Sequence, residues 1–270
     1  TVLEELADAQ EKNNYDLSSL SGIITMGSPL ERSACLHYQK VLTPNIYNGY
    51  GTTETLWNTF LRPFDLPEYA GTAGASMVDD DVRVVKIYED HKAEPDDVAA
   101  MDGQEIGEVV ICSPAKSPYM YFNNEKETNS KYHNGFIYTG DLATWDKNQY
   151  ITILGRKDDM IISSGENIYP TEIEEVLNKN PKVKDCIVTS VPDKMRGQVV
   201  TAYVVRADHS LKPEDLDQFC KDSPYIANFK RPRFYRFVEQ IPRNATGKKL
   251  HVKIKEIAKD DLINGLLYRV

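Results

Sequence analysis

The sequence predicts a mixed α/β and α+β protein: a partial α/β layer, a small β-barrel-like subdomain and then a separate small α+β domain. Three observations lead to this prediction. Helix-like and strand-like patterns alternate over residues 1–75, short strand-like runs dominate residues 76–157, and helices and strands alternate again over residues 158–270. The 270 residues leave room for two domains of ordinary size, and we draw their boundary between Lys157 and Asp158.

The first segment has the alternation that is typical of an α/β fold. Residues 1–10 have the pattern of a helix interior, 22–26 of a short buried strand, 29–40 of a helix and 45–47 of a second strand. The glycine-rich stretch that follows is a candidate binding loop, because α/β folds place ligands where strands end.

The middle segment is dominated by β patterns. Its strand-like runs are residues 82–88, 107–111, 136–138 and 150–154, and the acidic stretch 90–103 is a predicted surface loop. Short strands joined by polar turns favour a small barrel or a strongly bent sheet.

The last segment is predicted as α+β. Its first helix begins at Pro170, where the missing N–H is not needed, and acidic residues in its first turn suit the helix dipole. The predicted helices are residues 170–178, 213–221 and 252–260, and the predicted strands are 184–192, 199–206 and 233–238.

Composition excludes several classes of function. The net charge of −9 argues against a nucleic-acid partner, and no apolar run approaches the roughly 20 residues of a membrane span. Four widely separated cysteines have no metal-binding or redox spacing, which favours a reducing, cytoplasmic setting. Because Thr1 is not a start methionine and a helix interior follows it, we expect the chain to begin within a longer protein.

Five basic residues cluster in the last third of the chain. They form either a solvated face or a dock for an anionic group such as the 3′-phosphate of CoA, because guanidinium groups bind phosphates well. These residues are Lys221, Lys230, Arg231, Arg233 and Arg236.

Residues 48–54 read Asn-Gly-Tyr-Gly-Thr-Thr-Glu, which predicts a tight glycine turn that carries groups suited to ATP and its metal. The ring of Tyr50 can stack on a purine, hydroxyl and backbone N–H groups can bind phosphate oxygens, and the carboxylate of Glu54 can bind Mg²⁺. Taken alone, such a segment is more often an ordinary turn, so its meaning depends on the motifs that follow.

Four further motifs follow in order. They are Tyr-Thr-Gly-Asp at 138–141, Gly-Arg-Lys-Asp-Asp at 155–159, a Ser-Gly-Glu-Asn segment from residue 164, and Pro-Arg-Asn-Ala-Thr-Gly-Lys at 242–248. Together with the first motif they resemble the adenylate-forming superfamily, which comprises acyl-CoA synthetases, peptide-synthetase adenylation domains and luciferases. The resemblance covers nearly the whole chain.

The resemblance implies an acid–thiol ligase of the AMP-forming type, an acyl-CoA synthetase of the kind found in fatty acid metabolism, which uses ATP, Mg²⁺ and CoA. A carboxylic acid becomes an acyl-adenylate with release of pyrophosphate, and CoA then takes the acyl group with release of AMP. The first step adds negative charge at the α-phosphate, so it needs cations and hydrogen-bond donors there more than a protein nucleophile.

The resemblance also assigns roles within the first large domain. Tyr50 stacks on adenine, Gly49 leaves room for the base, Thr53 binds the α-phosphate, Glu54 holds Mg²⁺, and Asp141 accepts hydrogen bonds from the two ribose hydroxyls. In this sequence Asp141 is predicted to lie in a turn directly after a strand.

Four residues near or beyond the boundary complete the implied site. Arg156 reaches the ribose and phosphate, Asp158 is the hinge about which the C-terminal domain swings, Gly165 lines the tunnel for the CoA thiol, and Lys248 bridges the carboxylate and the α-phosphate. The implied catalytic residues are Lys248, Thr53 and Glu54, and the implied binding residues are Gly49, Tyr50, Gly51, Thr52, Thr53, Asp141, Arg156 and Gly165.

Each assignment has a simpler alternative. Tyr50 could be a packed core aromatic, Asp141 a turn-stabilising aspartate, Arg156 one half of a surface ion pair, Gly165 a plain hairpin residue and Lys248 a solvated lysine. The family's upstream phosphate loop is absent. Unusual residues stand at three family positions, which bears on the acyl pocket: Met26 and Met120 replace glycines and His251 replaces an arginine.

We therefore expect part of an acyl-CoA synthetase whose partners are ATP or AMP, a carboxylic acid, CoA and the missing N-terminal half of the same protein. Alone, this chain is expected to be inactive and to self-associate through uncovered α/β surface. The alternatives are a non-catalytic nucleotide-binding or docking fragment and an adenylation domain that loads a carrier protein.

Overall fold

A computed structural model of the chain describes residues 2–88, 90–117, 119–244 and 247–270. The chain divides into two units, residues 1–153 and 154–270. The division falls within a strand, a few residues before the predicted boundary at Lys157–Asp158. The position of the hinge therefore stays a prediction.

The first unit opens with the α/β layer. Its strands lie in the order β1-β2-β3-β4, in which β1 is parallel to β2 and the other neighbours are antiparallel. Its two helices pack on the sheet through a cluster that includes the buried residues Ala7, Cys35, Tyr38 and Ile46. The helix predicted over 29–40 begins only at Arg32. The elements are α1 (Val2–Asn13), β1 (Ile23–Met26), α2 (Arg32–Val41), β2 (Ile46–Thr52), β3 (Leu56–Leu61) and β4 (Ala75–Ser76).

The β-rich subdomain completes the first unit. Its elements are β5 (Asp81–Val85), β6 (Gly107–Cys112), α3 (Glu125–Lys131), β7 (Tyr132–His133), β8 (Phe136–Trp145) and β9 (Ile151–Arg156). The sheet order is β5-β6-β8-β7, with β9 also on β8, and alternate residues such as Val84, Val109 and Ile111 fill its core. The predicted strand over 82–88 ends early, at Val85.

The second unit is an α+β domain. Its elements are β10 (Ile161–Ser163), β11 (Glu166–Ile168), α4 (Pro170–Asn178), β12 (Val183–Asp193), β13 (Gly197–Arg206), α5 (Pro213–Asp222), β14 (Phe234–Phe237), α6 (His251–Ile263) and β15 (Tyr268–Arg269). The sheet order is β11-β10-β13-β14-β15, and β12 pairs with β13.

Successive side chains of β12 and β13 pack on opposite faces of this sheet. Val188 and Val204 pack in a cluster with residues of α4 and α5, whereas Ile187 and Tyr203 pack in a second cluster with residues of α6. Because successive residues of a strand point to opposite faces, one nearly continuous apolar run can serve both clusters. Helix α4 has the bounds that the sequence predicts, and the predicted fold class is confirmed.

Candidate nucleotide site and lysine loop

The first motif forms the end of strand β2 and the turn of the β2–β3 hairpin. Gly49 and Gly51 lie in β2, and the turn consists of residues 53–55, so the prediction of a tight glycine turn is wrong. A Cβ on Gly51 would lie 1.6 Å from the carbonyl oxygen of Leu56 across the hairpin, and one on Gly49 would lie 3.1 Å from a ring carbon of Phe60. Close backbone approach therefore requires the glycine at position 51.

A buried network holds this turn in shape. The register shifts after Tyr50, where Asn58 forms a bulge, and the side chains of Thr55 and Asn58 are fully buried. The hydroxyl of Thr55 donates to Asn58 Oδ1 at 2.6 Å and lies 2.9 Å from the hydroxyl of Thr52. Thr53 stays exposed at the tip, so its hydroxyl is available to a ligand.

Tyr50 and Asp141 come together although 91 positions separate them. The phenol of Tyr50 donates to Asp141 Oδ2 at 2.7 Å, and both side chains are half-buried. An aromatic face and a carboxylate with two acceptor oxygens thus stand side by side. That is the pairing needed to hold a purine and the two hydroxyls of its ribose.

A bulge, rather than a turn, places Asp141. The predicted Thr-Gly-Asp turn is wrong, because residues 139–141 lie inside the long strand β8. Between the pairs Glu108–Leu142 and Val110–Tyr138 the register shifts, and Gly140 adopts a positive φ of 74°. The backbone N–H of Asp141 donates to the Thr139 hydroxyl at 3.0 Å, which fixes the backbone at this position.

Glu54 has a partner that the sequence did not indicate. The phenol of Tyr121 donates to Glu54 Oε1 at 2.5 Å. Burial by itself would raise the pKa of Glu54, but hydrogen bonds from Tyr121, the backbone and Thr52, together with the charge of Lys131, lower the pKa overall. The carboxylate is therefore ionised at neutral pH.

An ionised, part-exposed Glu54 fits Mg²⁺, which proteins usually hold through one or two carboxylates together with substrate phosphates. Within the described ranges no group of three or more His, Cys, Asp and Glu side chains is arranged to hold a metal ion. Glu54 could supply one carboxylate ligand, with phosphate oxygens of the nucleotide and water as the others.

We expect Tyr121→Phe to weaken Mg²⁺ binding, and so to raise the Mg²⁺ concentration that the reaction proposed below requires by roughly 10- to 100-fold. The reason is that Tyr121 both orients Glu54 and stabilises its charged form. The lowered pKa means that the charged form is lost as pH falls through the folded value, so removing the hydrogen bond should move the acid limb of the pH–rate profile to higher pH.

Tyr119→Phe is the matched control, since the Tyr119 phenol lies 3.7 Å from Cys112 Sγ, whereas Glu54 is bonded by Tyr121. Measurements of rate against Mg²⁺ concentration and pH decide the question. An unchanged Mg²⁺ requirement in Tyr121→Phe would contradict this role.

Arg156 is the last residue of β9, and Asp158 lies in the short 3-10 turn that follows it, Lys157–Asp159. The guanidinium of Arg156 and the carboxylate of Asp158 approach to 4.0 Å, and the Asp158 side chain is 84% exposed. Asp158 is therefore little constrained by packing, as a hinge position requires. Both assigned roles stay predictions.

Gly165 lies in the two-residue turn of the β10–β11 hairpin, where Ser163 pairs with Glu166. Ser164 and Gly165 have φ values of 55° and 84°, the signature of a type I′ turn, which explains a glycine without any ligand. A Cβ on Gly165 would meet no described atom within 4 Å. The tunnel role stays a prediction, but the position is open to an approaching chain.

Lys248 projects from a closed turn. Its N–H donates to Asn244 Oδ1 at 2.9 Å, its carbonyl accepts from the Asn244 N–H at 2.9 Å, and its side chain is exposed. Residues 245 and 246, within the predicted motif, lie outside the described residues. The next residue, Lys249, is largely buried and ion-paired, a contrast that the Lys-Lys dipeptide does not reveal.

The basic cluster is largely neutralised by its own domain. This favours structural ion pairs over a solvated face, and the CoA-phosphate interpretation stays a prediction. The pairs are Lys221–Asp217 at 2.7 Å, Lys230–Glu172 at 2.6 Å, Arg236–Asp261 at 2.6 Å, and Arg231–Asp217.

Comparisons with known proteins show the family to which this chain belongs. The family model for AMP-binding enzymes matches residues 1–118, and the model for the AMP-binding enzyme C-terminal domain matches residues 172–248. The chain is 30% identical to a long-chain-fatty-acid–CoA ligase of Yersinia pestis, covering 95% of this chain and 43% of the relative. It is 34% identical to a 4-chlorobenzoate–CoA ligase of an Arthrobacter species, covering 92% of this chain and 45% of the relative.

Solved structures give the same result. The o-succinylbenzoate CoA synthetase of Bacillus subtilis, in complex with an acyl-adenylate intermediate, is 30% identical and superposes with a TM-score of 0.80, covering 93% of this chain and 49% of that one. The same synthetase is also known in complex with ATP and a magnesium ion.

The fold and these matches thus define a member of the adenylate-forming class of proteins. The chain belongs to the adenylate-forming superfamily, and it spans about half the length of the curated relatives it matches. The resemblance inferred from the motifs is confirmed. In the described part of the chain no helix is both long and apolar enough to cross a bilayer.

Proposed function

We propose that this chain is part of an AMP-forming acid–thiol ligase that activates a carboxylic acid with ATP and transfers the acyl group to CoA. The observation that carries the proposal is the 2.7 Å hydrogen bond between Tyr50 and Asp141. It joins an adenine-stacking ring to a ribose-binding carboxylate within a chain of this superfamily. Thr53 and Glu54 lie shortly after Tyr50, in the adjoining turn, where phosphates would extend from the ribose.

In the first half-reaction a carboxylate oxygen of the acid attacks the α-phosphorus of ATP. A new P–O bond forms, the bond to the bridging oxygen of the β-phosphate breaks, and pyrophosphate leaves with that electron pair. Tyr50 and Asp141 hold the nucleoside, Thr53 donates to an α-phosphate oxygen, and the ammonium group of Lys248 offsets the charge that develops there.

In the second half-reaction the sulfur of CoA, having lost its proton, attacks the adenylate carbonyl carbon. A C–S bond forms, the bond from that carbon to the phosphate oxygen breaks, and AMP leaves. Gly165 would leave space for the pantetheine arm, and rotation near Asp158 would exchange the Lys248 turn for the Gly165 hairpin. Mg²⁺ bound at Glu54 would neutralise phosphate charge in the first half-reaction.

The proposal includes a partner within the same polypeptide. Because the chain spans less than half of each curated relative described above, we infer an N-terminal half that supplies the phosphate loop and much of the acyl pocket. The unpaired thiols of Cys35, Cys112, Cys186 and Cys220 support a reducing, cytoplasmic location.

The full-length protein should release pyrophosphate from ATP only when its acid is present, and should consume CoA thiol in a second, separable step. A panel of short-chain, medium-chain, long-chain and aromatic acids is the appropriate screen, since the relatives named above differ in their acids. The isolated chain is the matched control and should show little turnover.

Formation of ADP and phosphate would contradict adenylation. Pyrophosphate release without any use of CoA would instead favour a different acyl acceptor, such as a carrier protein. Robust turnover by the isolated chain would contradict the inferred need for an N-terminal half.

A further inference from the structure

Both ends of the turn that carries Lys248 are tied to strand β12 of the second unit, and one end is also tied to helix α4. Arg243, before the turn, donates to Asp185 Oδ2 at 2.7 Å and to the Gly247 carbonyl at 2.6 Å. Lys249, after the turn, donates to Glu174 Oε2 at 2.8 Å and lies 3.5 Å from Asp185 Oδ1. Asp185 lies on β12 and Glu174 on α4, so side-chain charges join the turn to the core.

The Lys249–Glu174 pair is buried. Their side chains are 19% and 9% exposed, and Lys249 also donates to the Cys186 carbonyl at 2.5 Å. Burial by itself would lower the pKa of Lys249, but the negative charge of Glu174, with Cys186 and Asp185, raises it overall, so the ammonium form persists. Glu174 also accepts from the backbone N–H of Val188 at 2.8 Å, which fixes its orientation.

A buried ion pair is a poor device for stability alone, because apolar side chains of similar volume often serve as well or better. It does, however, fix the positions of the residues that form it, because its donor and acceptor atoms bond only in a narrow range of distances and angles. In this chain the residue fixed in this way is Lys249, the neighbour of Lys248.

We propose that Lys249 and Glu174, with Arg243 and Asp185, form a charged clamp that positions Lys248 for the adenylation half-reaction. Lys249 is a positioning residue, since it acts through Lys248 and is turned into its own domain. The inference rests on the proposed function, and it adds Lys249, Glu174 and Asp185, which lie outside the motif that identifies the implied catalytic lysine.

The clamp can be tested in the full-length protein with Lys249→Met, which keeps the length of the side chain and removes its charge. We expect adenylation, measured as single-turnover pyrophosphate release, to fall by up to about 10²-fold, the effect of a misplacement of about 1 Å. Thioester formation from supplied acyl-adenylate should be unchanged, whereas the melting temperature should fall, because the charge of Glu174 stays buried without its partner. Lys253→Met, at an exposed position of α6, is the matched control.

Two further variants separate positioning from folding and from the proposed function itself. Glu174→Gln keeps an oxygen for the Val188 N–H but removes the charge, and should reproduce the adenylation defect even if Lys249→Met fails to fold. In a Lys248→Ala background, Lys249→Met should cause no further loss, because residues that act through one group are not additive.

Normal adenylation in both clamp variants would overturn the clamp, as would an equal loss in both half-reactions or a loss that persists in the Lys248→Ala background. If Lys248→Ala alone left adenylation intact, the proposed role of Lys248 would fail, and the clamp with it. A defect in Lys248→Ala without one in the clamp variants would overturn the clamp alone.

Discussion

Lys248→Ala is expected to slow formation of the acyl-adenylate by about 10²–10³-fold, which corresponds to roughly 2.7–4 kcal/mol of lost transition-state stabilisation. An ammonium group is a compact point charge on a flexible stem, which suits it to bridge a carboxylate and an α-phosphate as charge builds up between them. Thioester formation from supplied acyl-adenylate should proceed normally, because transfer of the adenylyl group to the acid is already complete. Single-turnover kinetics on each half-reaction of the full-length protein measure both effects.

The loss should not come from unfolding. Lys248 is exposed on its turn, and substitutions at such surface positions usually change stability by no more than about 0.5 kcal/mol. Lys253→Ala, at an exposed position of α6, removes the same charge elsewhere in the unit and should leave both half-reactions intact. Equal impairment of the two half-reactions by Lys248→Ala would contradict a role confined to adenylation.

Gly165→Leu is expected to show the opposite selectivity, with thioester formation reduced by about 10²-fold or more and adenylation preserved. No described atom lies within 4 Å of a Cβ at this position, so the hairpin itself has room for a side chain. A leucine would instead occupy the space through which we propose that the CoA thiol reaches the acyl-adenylate. Rapid-quench measurement of thioester formation from supplied acyl-adenylate gives the rate directly.

Backbone strain has to be separated from obstruction. Gly165 has a φ of 84°, and any residue with a Cβ is disfavoured there by roughly 1–2 kcal/mol. Gly165→Ala carries the same strain with little bulk, so it should lower the melting temperature as Gly165→Leu does while largely preserving thioester formation. If alanine and leucine slow the reaction equally, the tunnel role is wrong and the glycine serves only its type I′ turn.

Local patterns predicted the three helices of the second unit and its strands β12, β13 and β14, but not the short strands β10, β11 and β15. Helix α4 begins at Pro170, whose missing N–H is harmless in the first turn, and its bounds agree with the prediction. Strands β12 and β13 were predicted from apolar runs because both of their faces are buried. The same approach missed α3, which has no buried residue and therefore no apolar periodicity to detect.

Two errors in the first unit have a common physical cause. Glycine is a turn signal in sequence, yet Gly51 permits close approach to the Leu56 carbonyl within a hairpin, and Gly140 permits a bulge within β8. In both cases the glycine supplies a conformation or a clearance that a strand partner demands. Neither pairing can be read from the local sequence around the glycine, so the strand could not be distinguished from a turn.

What the sequence by itself determined is the superfamily and its ordered motifs, because each motif is a contiguous run whose side chains carry the chemistry. Only the tertiary structure decided which groups support them: Asp141 beside Tyr50, Tyr121 on Glu54, and Glu174 on Lys249. Each contact joins residues that are distant in the chain and depends on strand register and helix packing. A hydrogen bond requires atoms to meet within about 3 Å, a condition that only the folded chain can impose.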